Sequence, residues 1–255
     1  VARIEDQGRV PLIRLRRVTK TFGAVEAMVS FDLQVHGHEV VALVGDNGAG
    51  KSTAAKIVSG VLQPDAGLLE LNGTPVQITS PSTALSMGIA AVFQDLALCD
   101  NLDVTANIFL GRALRRHGLL DEETMEREAR QVLAVLNSGI PSVRTPVRAL
   151  PAGQRQSVAI ARALISSPRV IVLDEPTAAL SVVQTAEVLS HIERLRDLGL
   201  AVILISHNMN DVRAVADRIE VMRHGRNNGS FDAATASYET ILAAVTGAVR
   251  LQHAV

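Results

Sequence analysis

Disulfides are excluded first: the 255 residues hold a single cysteine, Cys99, which has no internal partner. That fits a reducing compartment, and the thiol reads as a small core residue. Long apolar runs are missing too. The most apolar stretch, Leu200–Ile205, falls far short of the ~20 residues that span a bilayer. The charged segment Val1–Arg9 lacks the apolar run of a secretory signal. The expectation is a soluble, cytosolic chain that reaches a membrane only through a partner. Charge of one sign is not in excess either. A formal net charge of −1 gives no field that draws the whole molecule to polyanions, so nucleic acid is not an expected partner. The clusters Arg14, Arg16, Arg17 and Arg112, Arg115, Arg116 read as solvated faces. Internal repeats and low-complexity segments are absent.

With 47% apolar and 20% charged residues, the chain supports one core and a subsidiary lobe. Short β-rich runs open it at Leu12–Val18 and Met28–Val35, and a third, Glu39–Val44, leads through a glycine-rich turn into a helix from Lys51. Further strands are predicted at Ile89–Phe93, Val170–Leu173, Ala201–Ile205 and Arg218–Arg223, the last three separated by helical segments as in a parallel α/β sheet. Between Leu102 and Leu164 the strand signal disappears, and Glu122–Leu136 has apolar residues at helical spacing, which reads as a helical insertion. Gly225–Gly229 reads as a turn and Tyr238–Val245 as a closing helix.

Two motifs carry chemistry. Gly45-Asp46-Asn47-Gly48-Ala49-Gly50-Lys51-Ser52 matches G-x-x-x-x-G-K-[ST] between a predicted strand and a predicted helix, the context that makes the match specific. The glycines let the backbone curl so that successive N–H groups face a β-phosphate, and the helix N-terminus adds positive potential. Lys51 would neutralise β/γ-phosphate charge and Ser52 would give an oxygen to Mg²⁺. Val170–Leu173 runs into Asp174 and Glu175. Asp174 suits the Mg²⁺ water shell, and Glu175 suits polarisation of an attacking water.

In this order the motifs closely resemble the ATP-binding subunits of ABC transporters, from about Leu12 to Ala248. The resemblance implies an α/β fold: a P-loop NTPase of the ABC ATPase type, with a mainly parallel core sheet, an N-terminal antiparallel β subdomain and a helical subdomain at about 95–165 inserted in a single domain over 1–255. Gln94 then matches the Q-loop glutamine that approaches Mg²⁺, the attacking water and the transmembrane partner. His207 matches the switch histidine that contacts the γ-phosphate and holds Glu175, and Pro176–Ser181 looks like the D-loop. Phe22 occupies the position whose ring stacks on adenine, the other reading being a core phenylalanine. Nucleotide contacts would run from Gly45, Asp46, Asn47, Gly48, Ala49, Gly50, Lys51 and Ser52 to Thr53, with Gly153 and Gln154 reaching across a dimer. The wording is closest to the monosaccharide-importing branch, in Asn107–Arg112, Asp174–Leu180, Ile205–Met209 and Val245–Ala248. Many members there fuse two nucleotide domains, whereas this chain has the length of one, so a homodimer or paired nucleotide-binding domain is expected. Implied cofactors are ATP and Mg²⁺. Implied partners are transmembrane permease subunits and, indirectly, a periplasmic substrate-binding protein, which places the chain at the cytoplasmic face of the membrane.

One motif departs from the family. Where Leu-Ser-Gly-Gly-Gln is usual, this chain has Leu150-Pro151-Ala152-Gly153-Gln154. Proline has neither hydroxyl nor N–H to offer a γ-phosphate, and Ala152 adds a Cβ where backbone normally approaches closely. Two readings follow: a transport ATPase with reduced turnover, or a non-catalytic nucleotide-binding regulator. Retention of Glu175 and His207 favours the first. Soluble relatives in DNA repair and translation carry coiled-coil insertions or tandem nucleotide domains, which are absent here.

Overall fold

A computed structural model describes residues 10–248. The segment Val1–Arg9, and with it the ends of the domain expected over 1–255, lie outside the described residues. In chain order, β1 (Ile13–Phe22) and β2 (Val25–Val35) form a hairpin, and β3 (Glu39–Val44) leads into α1 (Lys51–Val58). Next come β4 (Ala66–Leu71), β5 (Thr74–Val76), α2 (Pro81–Ser86) and β6 (Ile89–Val92). The following segment holds α3 (Val104–Ile108), a small hairpin of β7 (Arg115–Arg116) and β8 (Leu119–Leu120), α4 (Glu122–Leu136) and α5 (Ala152–Leu164). The chain then alternates through β9 (Val170–Asp174), α6 (Val182–Asp197), β10 (Ala201–Ile205) and α7 (Met209–Val215), and closes with β11 (Arg218–Arg223), β12 (Arg226–Asp232) and α8 (Tyr238–Thr246).

The core sheet has the order β12-β11-β3-β10-β9-β6, parallel except for β12 at one edge. Its central strands β3, β10 and β9 are apolar apart from Glu39 at the start of β3 and Asp174 at the end of β9, because both faces are covered. Side chains alternate across a strand, so Ile171 and Leu173 of β9, with Val202 and Leu204 of β10, pack under α4, α5 and α6. Val170, Val172, Ala201 and Ile203 face the other way, toward α1 and the four-stranded antiparallel sheet β2-β1-β4-β5. A third cluster joins Ala42, Val44, Ile219 and Val221 to Ile241 and Ala244 of α8.

α4 buries Met125, Ala129, Leu133 and Leu136, an i, i+4, i+8, i+11 stripe, and Asp121 caps its first turn by accepting from the Thr124 N–H. Among the described residues, no helix is long and apolar enough to cross a membrane.

Three local expectations change. β4 and β5 were not legible because Gly67 and Pro75 interrupt them, as residues poor in strands do. The helical insertion holds the two-residue pair β7–β8, turned by His117 (φ 51°) and Gly118 (φ 85°). Gly225–Gly229 is not all turn: the chain reverses at His224–Gly225 and residues from Arg226 onward are strand. The asparagines that suggested a turn instead tie elements together. Asn227 Oδ1 accepts from the Asp32 N–H (2.8 Å), its Nδ2 donates to the Asp32 carbonyl (2.7 Å), and Asn228 Nδ2 donates to the Ala244 carbonyl.

Candidate functional site

Strand register gathers the motif residues at one edge of the sheet. Ile205 aligns with both Leu43 and Asp174, and Val92 aligns with Leu173. The segments leaving the carboxyl ends of β3, β10, β9 and β6 therefore emerge side by side, where ligands of open α/β sheets bind. These are the Gly45–Ser52 loop, Ser206–His207, Asp174–Glu175 and Gln94. Because β10 lies between β3 and β9, the loop after β3 and Asp174 start about 10 Å apart, two sheet spacings. His207 rises between them.

The glycine-rich loop is clamped from outside. Gly45 (φ 151°) and Gly50 (φ 109°) use backbone closed to larger residues. A Cβ at Gly45 would stand 2.0 Å from the Met222 carbonyl oxygen, and one at Gly50 would stand 2.4 Å from that of Ala27. The Ala49 N–H donates to Asp46 O (3.1 Å), and Ala49 O accepts from the Gly225 N–H (2.9 Å). Asp46, Asn47 and Gly48 stay exposed on the rim, while Ala49, Gly50 and Lys51 are buried.

α1 opens at Lys51 with no side chain capping its first turn. Six other helices are capped by Ser80, Asp103, Asp121, Ser181, Asn208 and Ser237. The remaining one, α5, also lacks a side-chain cap, and its N-cap is Pro151. Among the α-helices of the described residues, the two starts without a side-chain cap are thus the one after the glycine-rich loop and the one at Pro151, and a helix start of this kind can donate to an anion.

Lys51 Nζ donates to the carbonyl oxygens of Gly45 (2.7 Å) and Asp46 (2.9 Å). Burial lowers its pKa, with Glu175, Asp46 and Asp174 opposing. An ammonium held among neutral carbonyls and short of water is a receptor for an anion. Asp174 is the converse: burial chiefly raises its pKa, while Ser52 and the lysines oppose. Its Oδ1 lies 3.5 Å from Ser52 Oγ, longer than a good O–H···O bond, so both oxygens remain available to a shared cation. Among the described residues, no cluster of three His, Cys, Asp or Glu side chains could hold a metal. Mg²⁺ held by Ser52 and Asp174 together with phosphate oxygens fits that donor set, as this ion is often bound.

Glu175 follows directly, with Oε2 2.8 Å from His207 Nδ1 and its N–H donating to the Ile205 carbonyl (2.9 Å). Gln94 is exposed, two residues past Val92, on the same edge.

Phe22 is 47% exposed at the end of β1, with Lys20 Nζ 5.7 Å from its ring centroid. A core role is thereby excluded. It pairs with Val25, two residues or roughly 7 Å along β2 from the Ala27 that abuts Gly50. Thr53 lies in the first turn of α1.

Gly153 is buried against Gln184, and the Gln154 amide donates to the Gly139 carbonyl (3.1 Å), so both are engaged within this chain. A cleft of about 640 Å³ opens beside Asp46, Asn47 and His207 against Tyr238 and Leu242 of α8. Neither Lys51 nor Asp174 lines it, so it is not where the phosphate-directed groups converge. The props of the loop, Ala27, Met222 and Gly225, were not singled out from the sequence; only Gly225 left a signal, as a turn.

This fold is that of a P-loop NTPase of the ABC ATPase type, and solved ABC transporter cassettes share it. The model of the ABC transporter family matches residues 28–178, and the chain belongs to that family. It is 45% identical over 215 residues to a xylose/arabinose import ATP-binding protein of Sulfolobus acidocaldarius, covering 84% of this chain and 86% of that one. It is 42% identical over 224 residues to a fructose import ATP-binding protein of Rhizobium meliloti, covering 85% and 86%. A bacterial ABC transporter cassette whose structure is dimeric is 25% identical with a TM-score of 0.74, over 87% of this chain and 98% of that one.

Proposed function

We propose that this chain is the ATP-hydrolysing subunit of an ABC importer of carbohydrate. It acts as a single nucleotide-binding domain with a helical subdomain at about 95–165, and it works as a homodimer or with a paired domain. Its site at the cytoplasmic face of the membrane is set by permease subunits, with a periplasmic substrate-binding protein engaged indirectly. The sugar assignment is supported by the names of the xylose/arabinose and fructose import relatives. Dimerisation is supported by the start of α5, whose first turn has no side-chain cap among the described residues, and by the dimeric cassette of similar fold.

One observation carries the hydrolytic reading: the 2.8 Å contact between Glu175 and His207 beside the Lys51 loop. Bound ATP with Mg²⁺ would supply the transferable γ-phosphoryl group and neutralise charge between the phosphates. The loop N–H groups and Lys51 would hold the phosphates, Ser52 and Asp174 would hold the ion, and Phe22 would stack on the base. Glu175 accepts a proton from water at its carboxylate, while His207 keeps Oε2 oriented and Gln94 closes the site toward the permease. A pure nucleotide sensor needs neither Glu175 nor His207. Pro151 and Ala152 favour the second reading, a weakly catalytic regulator, because they replace a hydroxyl and a bare glycine at the dimer-crossing helix.

The test is purification of the chain with its permease and receptor, followed by phosphate release with xylose, arabinose, fructose and ribose in turn. Stimulation by one sugar is expected. ATP binding with no phosphate release under any of them would establish the regulator instead.

A further inference from the structure

The loop that carries Glu175 is built on unfavourable backbone. Glu175 has φ 53° and Ala179 has φ 61°, in the left-handed region that residues with a Cβ avoid. Its internal bonds are few and long: the Ala178 N–H donates to Glu175 O (3.2 Å) and the Leu180 N–H to Thr177 O (3.3 Å). Something outside must hold it.

Thr177 supplies the tether. Its Oγ1 donates to Asp211 Oδ2 at 2.7 Å, and Asp211, 6% exposed, sits in the first turn of α7. That helix begins two residues after His207, and its start is fixed because Asn208 Oδ1 accepts from the Asn210 N–H (3.0 Å) and the Asn208 N–H donates to Ser206 Oγ (3.1 Å). The loop after β9 therefore meets β10 and the segment that follows it through one backbone bond and two side-chain bonds. The Glu175 N–H donates to the Ile205 carbonyl, the Glu175 side chain binds His207, and two residues later Thr177 binds Asp211, four residues past the histidine.

We propose that Asp211 is a positioning residue: through Thr177 it forms the second side-chain point of a clamp that keeps Glu175 in its left-handed conformation against His207. The Ile205 and His207 bonds both hold the loop at Glu175 itself, so the chain beyond it can still pivot there; the Thr177 bond, two residues on, fixes its orientation. Asp211 touches no substrate in this account, and the proposal rests on the hydrolytic reading of Glu175.

Thr177→Val removes the hydroxyl at nearly constant shape, and Thr177→Ser keeps it. Asp211→Leu and Asp211→Asn form the matching pair, Asn retaining an acceptor oxygen. In the nucleotide-free full chain, Thr177→Val should speed amide exchange at Glu175, Ala178 and Leu180 by about tenfold or more, with α1 unchanged. In the assembled transporter it should lower kcat roughly tenfold or more while KM for ATP stays within about twofold. Ser and Asn should restore both. Unchanged exchange in Thr177→Val, or Ser as impaired as Val, overturns the clamp. A wild-type transporter without turnover overturns the hydrolytic reading, and the exchange data still decide the clamp by themselves.

Discussion

Converting the signature back toward serine and glycine should raise turnover without a matching change in stability. Pro151 is the N-cap of α5 at φ −58° and ψ 158°, its carbonyl accepts from the Arg155 N–H (3.0 Å), and it is exposed. Serine adopts that extended backbone freely. As an N-cap it would accept from the first turn and stabilise the helix by about 1 kcal/mol. Loss of proline frees the unfolded chain and costs about 0.4–1 kcal/mol in return. Glycine for Ala152 at the first helical position costs at most about 1 kcal/mol. These terms nearly cancel, so the melting temperature of Pro151→Ser/Ala152→Gly should stay within about 4 °C of wild type.

The rate term does not cancel. A serine hydroxyl on a phosphate oxygen is a hydrogen bond to a charged group, about 1.5–3 kcal/mol, which corresponds to roughly 10- to 150-fold in rate if it is made only in the closed state. Steady-state phosphate release by the assembled transporter, at saturating ATP and matched Tm, is the assay. Equal rates for wild type and double variant would refute the idea that Pro151 and Ala152 limit hydrolysis.

Three further outcomes are expected. Glu175→Gln should lower single-turnover hydrolysis by about 10²-fold or more while the Kd for ATP moves little, since Gln keeps shape but not the base; near-normal turnover would remove Glu175 from the chemistry. Gly45→Ala should destabilise the fold by about 3 kcal/mol or more, because its Cβ would stand 2.0 Å from Met222 O at φ 151°. A denaturant midpoint equal to wild type would contradict the clamped loop. Burial lowers His191, bonded through Nε2 to Ser157 Oγ (2.8 Å), from 6.5 to about 4. The folded state therefore keeps it neutral, so its contribution is complete above pH 6.5 and drains away as pH falls toward 4, on the order of 3 kcal/mol. Urea midpoints at several pH values should show this slope in wild type and a flatter one in His191→Gln.

The core sheet was legible because burial on both faces writes itself as short unbroken apolar runs: the strand predicted at Ala201–Ile205 is β10 residue for residue, and Val170–Leu173 is β9 less its terminal aspartate. α4 was legible from its stripe, and the closing helix read at Tyr238–Val245 is α8 less its last residue. Where local chemistry and tertiary context disagree, the reading failed. Gly67 and Pro75 hide β4 and β5, which exist because β1 offers a pairing edge. Asn227 and Asn228 look like turn residues, yet here their amides bond Asp32 and Ala244, and the strand register decides.

The candidate site divides along the same line. Gly45–Ser52, Asp174 and Glu175 announce themselves because each stretch must be right in its own sequence to bend, to cap a strand or to place a charge. Residues that only hold such a stretch in place are silent, because their meaning depends on what register brings opposite them. Met222 is an ordinary strand residue until β11 pairs with β3 and sets its carbonyl against Gly45. Gly225 reads as a turn until its N–H reaches Ala49 O. Asp211 reads as a polar residue in a short helix until Thr177, thirty-four positions earlier, donates to it. A motif thus locates the groups that meet a ligand, while the precision with which they meet it is held by side chains and carbonyls that only the folded sheet identifies. Exchange and turnover in Thr177→Val measure how much of that precision comes from one such contact.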